Sequence, residues 1–179
     1  GTGKPTVIDG LLRYYAKTCP DGKILLCAPT GRAASRAGPA SGREGLTMHK
    51  AMKRTPYDKG TRRTEPLDYD FIIVDEMSMC DTELFAGFLE AVKSGTILLL
   101  AGDPDQLPSV GAGQVFRDLV SSGVIPVYRL TELVRQEAAS GIVKNARAAL
   151  AGKTIQEYQD FKISVCGEAC PVAEQVIRE

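Results

Sequence analysis

Three short, uninterrupted apolar runs constrain the fold of this chain more than any other feature. They lie in the segments Lys23–Ala28, Phe71–Val74 and Thr96–Ala101. A strand that is apolar at successive positions is covered on both faces, as the strands of parallel sheets are. Helical patterns separate the runs, and parallel neighbours need such crossover connections. The sequence therefore predicts an α/β fold, with a mostly parallel sheet between two layers of helices.

Hydrophobic spacing sets the remaining predicted elements. In the predicted helix Thr82–Lys93 we expect five apolar side chains to face the core: Leu84, Phe85, Phe88, Leu89 and Val92. The other predicted helices are Pro5–Thr18, Arg32–Arg36, Thr47–Lys53, Val115–Ser121, Gly141–Ala151 and Pro171–Arg178. Further strands are predicted over Pro126–Leu130 and Phe161–Val165, and residues 54–68 are predicted to form a loop.

Composition excludes several classes of protein. The chain has 179 residues, of which 44% are hydrophobic and 25% charged, as in an ordinary globular domain. No apolar run approaches the roughly 18–20 residues of a membrane span. The single histidine, His49, argues against a histidine zinc site or a Ser-His-Asp triad, and Cys166 and Cys170 lack a second pair of zinc ligands. The five cysteines form no paired framework, so we predict free thiols and a cytoplasmic location.

Equal totals of basic and acidic side chains, 22 of each, conceal a strongly basic segment. Residues 32–63 hold nine basic side chains and only two acidic ones, which leaves a net charge of +7. The basic residues are Arg32, Arg36, Arg43, Lys50, Lys53, Arg54, Lys59, Arg62 and Arg63. Such a patch attracts polyanions, including nucleic acids, to an otherwise neutral protein. The alternative interpretation is a solvated, flexible insertion.

The chain begins with half of a phosphate-binding motif. Gly1–Lys4 reads Gly-Thr-Gly-Lys before a predicted helix. In a P-loop such glycines and the helix N-terminus wrap phosphates, and the lysine reaches their oxygens. Pro5 stands where a P-loop has the hydroxyl that binds Mg²⁺, and Thr6 comes one position late. Because the upstream half of the motif is absent, we expect a piece of a longer protein; the alternative for the motif is a glycine-rich turn with a surface lysine.

Two carboxylates end the most apolar of the predicted strands. Asp75 and Glu76 follow Phe71–Val74 directly. At this position one carboxylate can hold a water on Mg²⁺, and its neighbour can orient and deprotonate an attacking water. The alternative is an acidic N-cap for the next helix, a role for which Asp81 is better placed.

Two further polar side chains follow later strands. Gln106 lies in the segment Gly102–Val110, after the strand Thr96–Ala101, where an amide can orient water or sense the loss of a phosphate. Arg135 follows the strand predicted over Pro126–Leu130 and can neutralise charge on a transferred phosphoryl group. The alternatives are a tight turn stabilised by Asp and Pro, and a solvated or carboxylate-paired arginine.

Taken in order, these segments resemble the first RecA-like motor domain of superfamily 1 DNA helicases of the RecD/TraA type. The resemblance is carried by Gly1–Lys4, Ala28–Ala34, Thr47–His49, Ile72–Met79, Gly102–Gly111 and Leu130–Gln136. It implies an N-terminally truncated RecA-like P-loop NTPase domain, 1A, over residues 1–153. The remaining residues, 154–179, would be a strand-helix extension toward a missing second motor domain. The leading strand of the P-loop would be missing too, which we expect to leave exposed apolar surface or a gap.

The resemblance also implies the role of individual residues. ATP would be bound by Gly1, Thr2, Gly3, Lys4, Pro5 and Thr6. Asp75 would hold Mg²⁺ through water, and Glu76 would be the catalytic base. Gln106 and Arg135 would contact or sense the γ-phosphate. Single-stranded DNA would lie near Thr30, Gly31, Arg32, Thr47 and His49, although a local hydrogen bond is the alternative role of the histidine.

The implied activity is ATP-driven translocation on single-stranded DNA and unwinding. The implied partners are the second RecA-like domain and other subunits of a recombination or conjugation complex, as in proteins like the exodeoxyribonuclease V alpha subunit. Because such motors hydrolyse ATP between two domains, we expect this chain alone to be inactive in unwinding and nearly inactive as an ATPase. A small-molecule kinase would need an acceptor-binding lid, which the sequence does not suggest. The remaining alternative is a degenerate nucleotide- or DNA-binding P-loop module without catalysis.

Overall fold

The computed structural model describes residues 3–42, 44–54, 65–130 and 140–162. The strands are Ile24–Ala28 (β1), Leu46–Thr47 (β2), Phe71–Val74 (β3) and Ile97–Leu100 (β4). The helices are Lys4–Thr18 (α1), Gly31–Ser41 (α2), Met48–Ala51 (α3), Thr82–Ala91 (α4), Val115–Ser121 (α5) and Gly141–Leu150 (α6), and a 3₁₀ turn covers Met77–Met79. The described residues fall into two compact units, residues 3–130 and residues 140–162.

All four strands form one parallel sheet in the order β2-β1-β3-β4. Ile24 lies opposite Phe71, and Phe71 lies opposite Ile97, so the three longer strands begin at the same level. Their carboxyl ends consequently meet at one edge of the sheet, which we call the carboxyl edge. The prediction of a parallel sheet built on the apolar runs is confirmed, and the segment that follows each strand begins at this edge.

One face of the sheet is covered by the first two helices. Leu26 of β1 and Ile73 of β3 point to this face and pack with Ile8 and Leu12 of α1, all of them buried. Ala37 of α2 packs against the same cluster. Because successive strand residues point to opposite faces, the intervening residues must be buried by other elements.

The opposite face holds the larger core. Leu25, Ile72 and Val74 pack there with Phe88 of α4 and Phe116 of α5. Met48 of α3 and Met52, the C-cap residue of that helix, join the same cluster. Helices on both faces of a parallel sheet make a three-layer αβα domain, as the sequence predicts.

Helix α4 confirms one local prediction and corrects another. The side chain of Asp81 accepts a hydrogen bond from Leu84 N at 2.8 Å, so Asp81 is the N-cap, as expected. Phe88 is fully buried, whereas Leu89, which we expected to face the core, is 44% exposed. The helix ends at Ala91, and Leu89 lies at the margin of its apolar face, beyond the width that the sheet covers.

The strand predicted over Pro126–Leu130 is absent. The residues are described, but no strand forms there and their peptide groups make no backbone hydrogen bond within the described chain. Val127 and Leu130 are 39% and 43% exposed. An apolar pattern produces a strand only where a neighbouring strand supplies hydrogen-bond partners, and none lies beside this segment among the described residues.

Several element boundaries differ from the prediction. The helix predicted over Thr47–Lys53 is shorter, because Thr47 ends β2 and caps α3. Helix α2 continues past Arg36 to Ser41. Predictions that lie outside the described residues are the loop at 55–64, the end of the strand Phe161–Val165 and the helix Pro171–Arg178.

The outer edge of β4 carries an exposed apolar side chain. Within the described residues β4 pairs only with β3, and Ile97 is 55% exposed.

Across the described ranges, no helix is both long enough and apolar enough to cross a membrane. Cys19, Cys27 and Cys80 are free thiols, as predicted for these residues.

The unit of residues 140–162 is a helix with a segment folded back along it. The side chain of buried Asn145 donates a hydrogen bond to Gln156 O at 2.6 Å and accepts one from Gln156 N at 2.8 Å. It thereby pairs with both backbone groups of Gln156, as the backbone of a neighbouring strand would. Asp160 accepts from Gly141 N at 2.8 Å and so satisfies a free N–H group in the first turn of α6. A hydrogen bond from the Ser140 side chain, and then the bond from Gly141 N, keep the pKa of Asp160 below its ordinary value.

We expect Phe88→Ala to destabilise the chain by about 3–5 kcal/mol, because it removes a fully buried ring and leaves a cavity. Leu89→Ala, one residue further along the same helix, is the matched control and should cost less than about 1 kcal/mol. Urea unfolding followed by circular dichroism measures both values. Equal losses for the two variants would contradict the packing described for α4.

An ion-pair cluster lies at the opposite, amino edge of the sheet. Asp68 pairs with Lys23 and, at 2.9 Å, with Lys93, which also contacts Asp70 at 3.2 Å. The hydrogen bond from Lys23 and then that from Lys93 lower the pKa of Asp68 to about 2, from an ordinary value of 3.8. The unfolded chain therefore binds a proton at a higher pH than the folded chain does.

The contribution of Asp68 to stability should accordingly be present above pH 3.8 and be lost as the pH falls towards about 2. Asp68→Asn should lower the urea midpoint at pH 7 and flatten its dependence on pH across that window. Glu90→Gln is the control, since Glu90 is an exposed acid on α4 without an ion pair among the described residues. An unchanged pH profile in Asp68→Asn would refute the role of the cluster.

Candidate functional site

Asp75 is positioned by the two strands that flank β3. Its backbone N–H donates to Cys27 O of β1 at 2.9 Å, and Ala101 N, just after β4, donates to Val74 O at 2.8 Å. These bonds extend the sheet by one residue at the carboxyl edge. The carboxylate of Asp75 therefore starts from a rigid backbone, and its side chain is only 14% exposed.

Glu76 adopts a left-handed backbone conformation, with φ 55° and ψ 41°. Its N–H donates to Asp75 Oδ1 at 2.8 Å, and the next N–H, that of Met77, donates to Ala101 O at 2.9 Å. A residue with a side chain adopts this conformation at a cost of about 1–3 kcal/mol, and such strain concentrates at functional sites. The hydrogen bonds on both sides maintain the turn and set the direction of the glutamate.

Lys4 reaches both carboxylates from the first residue of α1. Gly3 is the N-cap, and its φ of 79° is a conformation that glycine adopts without strain. Lys4 Nζ lies 2.9 Å from Asp75 Oδ1 and 3.2 Å from Glu76 Oε1. The structure thus brings together three of the residues singled out from the sequence, although the lysine is distant from the acids in the chain.

The N-terminus of α1 is suited to bind an anion, except at Pro5. Val7 N donates to Gly3 O at 3.1 Å, so the N–H groups of Lys4 and Thr6 have no partner within the helix. Pro5 is exposed at the beginning of the helix and has no N–H to offer. Thr6 is exposed as well, while Gly1 and Thr2 lie outside the described residues.

The two carboxylates also offer oxygens to a divalent cation. Glu76 Oε2 is buried and has no hydrogen-bond partner among the described residues. Carboxylate oxygens are the ligands that Mg²⁺ prefers, and it usually takes only one or two of them from the protein. No cluster of three or more His, Cys, Asp or Glu side chains occurs in the described ranges. Asp75, with Glu76 beside it, would therefore hold Mg²⁺ together with oxygens from a ligand such as a phosphate.

Gln106 lies in a turn beyond the end of β4. Gln106 N donates to Asp103 O at 3.2 Å, and Asp105 N donates to Asp103 Oδ1 at 3.0 Å, which is the tight turn expected of this segment. The Gln106 side chain is exposed and, among the described residues, has no hydrogen bond to Lys4, Asp75 or Glu76. Arg135 lies outside the described residues, so of the five side chains assigned roles at the triphosphate, Lys4, Asp75 and Glu76 are observed together.

A clamp on the segment after Gln106 was not anticipated from the sequence. Thr82 N, at the start of α4, donates to Ala112 O at 3.0 Å. Ser109 Oγ donates to the carbonyl oxygens of Gly111 and Gly113 at 3.0 and 3.1 Å. Gly113 has φ 94°, and a side chain there would collide with the Thr82 hydroxyl. The pattern of glycines at 111 and 113 was the available signal, since close backbone approach requires that residue.

The residues proposed for DNA contact lie after β1 and β2, at the carboxyl edge. Thr30 Oγ1 accepts from Ala33 N at 3.3 Å, and Thr47 Oγ1 accepts from Lys50 N at 3.1 Å, so both threonines cap helices. Gly31 and Arg32 are exposed, and Arg32 makes no ion pair within the described chain. His49 is half-buried; its carbonyl oxygen accepts from Arg54 N at 2.9 Å.

Ser78 is a second residue that sequence reasoning missed. It lies in the 3₁₀ turn directly after the two carboxylates. Its hydroxyl oxygen is buried and has no hydrogen-bond partner among the described residues. The available signal was a single polar residue between two methionines, Met77 and Met79.

Comparison with known proteins shows the family of this chain. A family model described as an AAA domain matches residues 1–163. The ATP-dependent RecD2 DNA helicase of Deinococcus radiodurans is 41% identical over 153 residues, which cover 86% of this chain and 21% of that protein. The RecBCD enzyme subunit RecD of Mycolicibacterium smegmatis is 37% identical over 183 aligned residues, covering 84% of this chain and 33% of that protein. The chain thus spans between about a fifth and a third of these relatives.

A solved structure supports the fold. The crystal structure of Pif1 helicase from Bacteroides in complex with ADP-AlF3 and single-stranded DNA matches with a TM-score of 0.56 at 21% identity, over 99% of this chain and 49% of that one. The family model and the sequence identities confirm the resemblance inferred from the motifs. The chain therefore belongs to the AAA domain family and is a relative of the RecD-type DNA helicases.

Proposed function

We propose that this chain is the ATP-binding motor domain of a DNA helicase that couples ATP hydrolysis to movement along single-stranded DNA. The proposal rests on one observation: the ammonium of Lys4 contacts the carboxylates of Asp75 and Glu76 at the carboxyl edge. In open parallel sheets, ligands bind in the crevice beyond the carboxyl ends of the strands. A lysine at a helix N-terminus beside two strand-end carboxylates is the arrangement that nucleoside triphosphate hydrolysis requires.

Each of the three residues has a distinct proposed role. Lys4 and the N-terminus of α1 bind the phosphate oxygens, because both present positive charge to the same point. Asp75 holds Mg²⁺ through water; when bound, the metal neutralises charge that develops on the phosphate oxygens. Glu76 orients a water molecule and accepts its proton, and its strained, hydrogen-bonded backbone keeps the carboxylate aimed at the site.

Gln106 and Arg135 are proposed to respond to the γ-phosphate. Gln106 follows β4, the strand adjacent to β3, and its exposed side chain is free to move towards a ligand. The clamp of Ser109, Gly113 and Thr82 fastens the far end of that segment to α4. A displacement of Gln106 would therefore be transmitted to α4 rather than absorbed by the loop.

Single-stranded DNA is proposed to bind at the ends of β1 and β2. Arg32 is exposed there, and residues 32–63 carry a net charge of +7. The threonines 30 and 47 already cap helices, so we assign them a positioning role, in which they set the adjacent backbone N–H groups and Arg32. Contacts of this kind reach phosphates and select little sequence.

The proposal extends to a wider assembly. One relative is named as a subunit of the RecBCD enzyme, and this chain spans only part of it. We propose that the domain acts with a second RecA-like domain, in a complex of recombination or conjugation, and that the chain alone has little ATPase activity. The free thiols fit a reducing compartment, which we propose is the cytoplasm.

Nucleotide binding tests the site directly. We expect a fluorescent ATP analogue to bind the chain more tightly with Mg²⁺ than without it, and Asp75→Asn to abolish that difference, a loss of about tenfold in affinity. Asp81→Asn is the matched control, because asparagine caps a helix as well as aspartate does. Absence of binding by the unmodified chain in saturating Mg²⁺ would refute the proposed site.

Binding of a fluorescent oligonucleotide of single-stranded DNA tests the second surface. Arg32→Ala should weaken binding and reduce the slope of log affinity against log salt concentration by about 0.7, the value for one lost phosphate contact. Arg13→Ala is the control, since Arg13 lies further along α1 and pairs with Asp9 at 2.8 Å. The DNA surface is wrongly assigned if the two variants bind alike.

A further inference from the structure

Pro5 removes two polar groups from the start of α1. It is the second residue of the helix, directly after Lys4, and it is exposed. A serine or threonine in this place would offer a backbone N–H to a phosphate and a hydroxyl oxygen to a metal ion. Proline offers neither, because its nitrogen carries no hydrogen and its ring is apolar. The helix start therefore keeps the N–H groups of Lys4 and Thr6 and lacks the one between them.

The start of α1 has no side-chain cap in the described part of the chain. Gly3 is the N-cap and has no side chain that could accept a hydrogen bond, and the first turn contains no acidic residue. Helices commonly use such groups to satisfy their first N–H groups. Pro5 favours the helix in another way, since its ring fixes φ at about −65°, the value that a first turn needs. The helix thus begins on a rigid backbone, and its free N–H groups stay open to an anion.

The hydroxyl of Thr6 does not replace the missing group at position 5. Successive residues of an α-helix are rotated by about 100° and displaced by about 1.5 Å along the axis. Thr6 consequently points away from the direction of residue 5, and it is exposed. Within the described chain, the side-chain oxygens that contact Lys4 are those of Asp75 and Glu76. A metal ion at this site would therefore take its protein oxygens from carboxylates alone.

We propose that Pro5 determines the metal specificity of the nucleotide site: it weakens the preference for metal-bound over metal-free nucleoside triphosphate and gives α1 a rigid start instead. This inference rests on the proposed nucleotide site. We call the ratio of the nucleotide dissociation constant without Mg²⁺ to that with Mg²⁺ the metal coupling. Mg²⁺ keeps water at each position that the protein does not fill, so every missing protein oxygen lowers this ratio. Asp75 supplies some coupling, and a hydroxyl at position 5 would supply more.

Two variants that differ by a single oxygen test the proposal on the full chain. Pro5→Ala and Pro5→Ser both restore the backbone N–H, and only Pro5→Ser adds a hydroxyl. Pro5→Ala should tighten binding of the fluorescent ATP analogue equally in Mg²⁺ and in EDTA, because the N–H serves the phosphate, and should leave the metal coupling unchanged. Pro5→Ser should raise the metal coupling about tenfold over that of the unmodified chain.

Pro20→Ser is the matched control for loss of a proline. Pro20 is exposed and lies beyond the end of α1, so this variant should leave both dissociation constants of the analogue unchanged. Circular dichroism of each variant verifies the fold. An equal rise of the metal coupling in Pro20→Ser and Pro5→Ser would contradict a role specific to position 5.

Urea unfolding without nucleotide measures the structural half of the proposal. Proline restricts the unfolded chain at a position whose helical φ suits it, so Pro5→Ser should lower the urea midpoint. Saturating analogue with Mg²⁺ should then raise the midpoint of Pro5→Ser more than that of the unmodified chain, because tighter binding adds more stability. An unchanged or higher midpoint for Pro5→Ser without nucleotide would refute the stabilising role of the proline.

The outcomes separate this inference from the function on which it rests. If the unmodified chain binds the analogue but Pro5→Ser shows no more metal coupling than Pro5→Ala, the inference is refuted and the nucleotide site stands. If the unmodified chain and both Pro5 variants fail to bind the analogue with or without Mg²⁺, the nucleotide site is refuted, and the inference with it. A gain of metal coupling in Pro5→Ser alone supports both.

Discussion

The aligned, parallel pairing of β1, β3 and β4 is the constraint on which the rest of the structure depends. Ile24, Phe71 and Ile97 lie opposite one another, so the strands end at one level. Every polar segment that follows a strand must then begin at the same edge. The ion pairs around Asp68 lie at the other edge, apart from the candidate site.

The candidate site is built on this edge chiefly by backbone hydrogen bonds. Asp75 N is bonded to β1 and Met77 N to the residue after β4, so the acidic turn between them is held from both sides. That support is what allows Glu76 to keep a left-handed conformation. Lys4 adds a charge contact to both carboxylates from the first turn of α1.

The limits of sequence reasoning show in particular residues. Phe71–Val74 became a central strand because a continuous apolar run is stable only when covered on both faces. Pro126–Leu130 was predicted as a strand too, but it includes Arg129 and has no neighbouring strand among the described residues, so burial and pairing are both lacking there. The same helical period placed Leu89 in the core, yet it lies at the margin of the apolar face of α4 and is exposed. A pattern states what a segment can bury, and the surrounding elements decide whether it does.

The sequence by itself determined the buried strands, the Asp81 cap and the chemical groups that follow each strand, because these depend on neighbouring residues. It also identified the family, since the motifs keep their order along the chain. Only the tertiary structure decided the strand order, the strained backbone of Glu76 and the placement of Lys4 between two carboxylates. Those features arise from contacts between residues far apart in the chain, which no local pattern encodes and which exist only once the strands have paired.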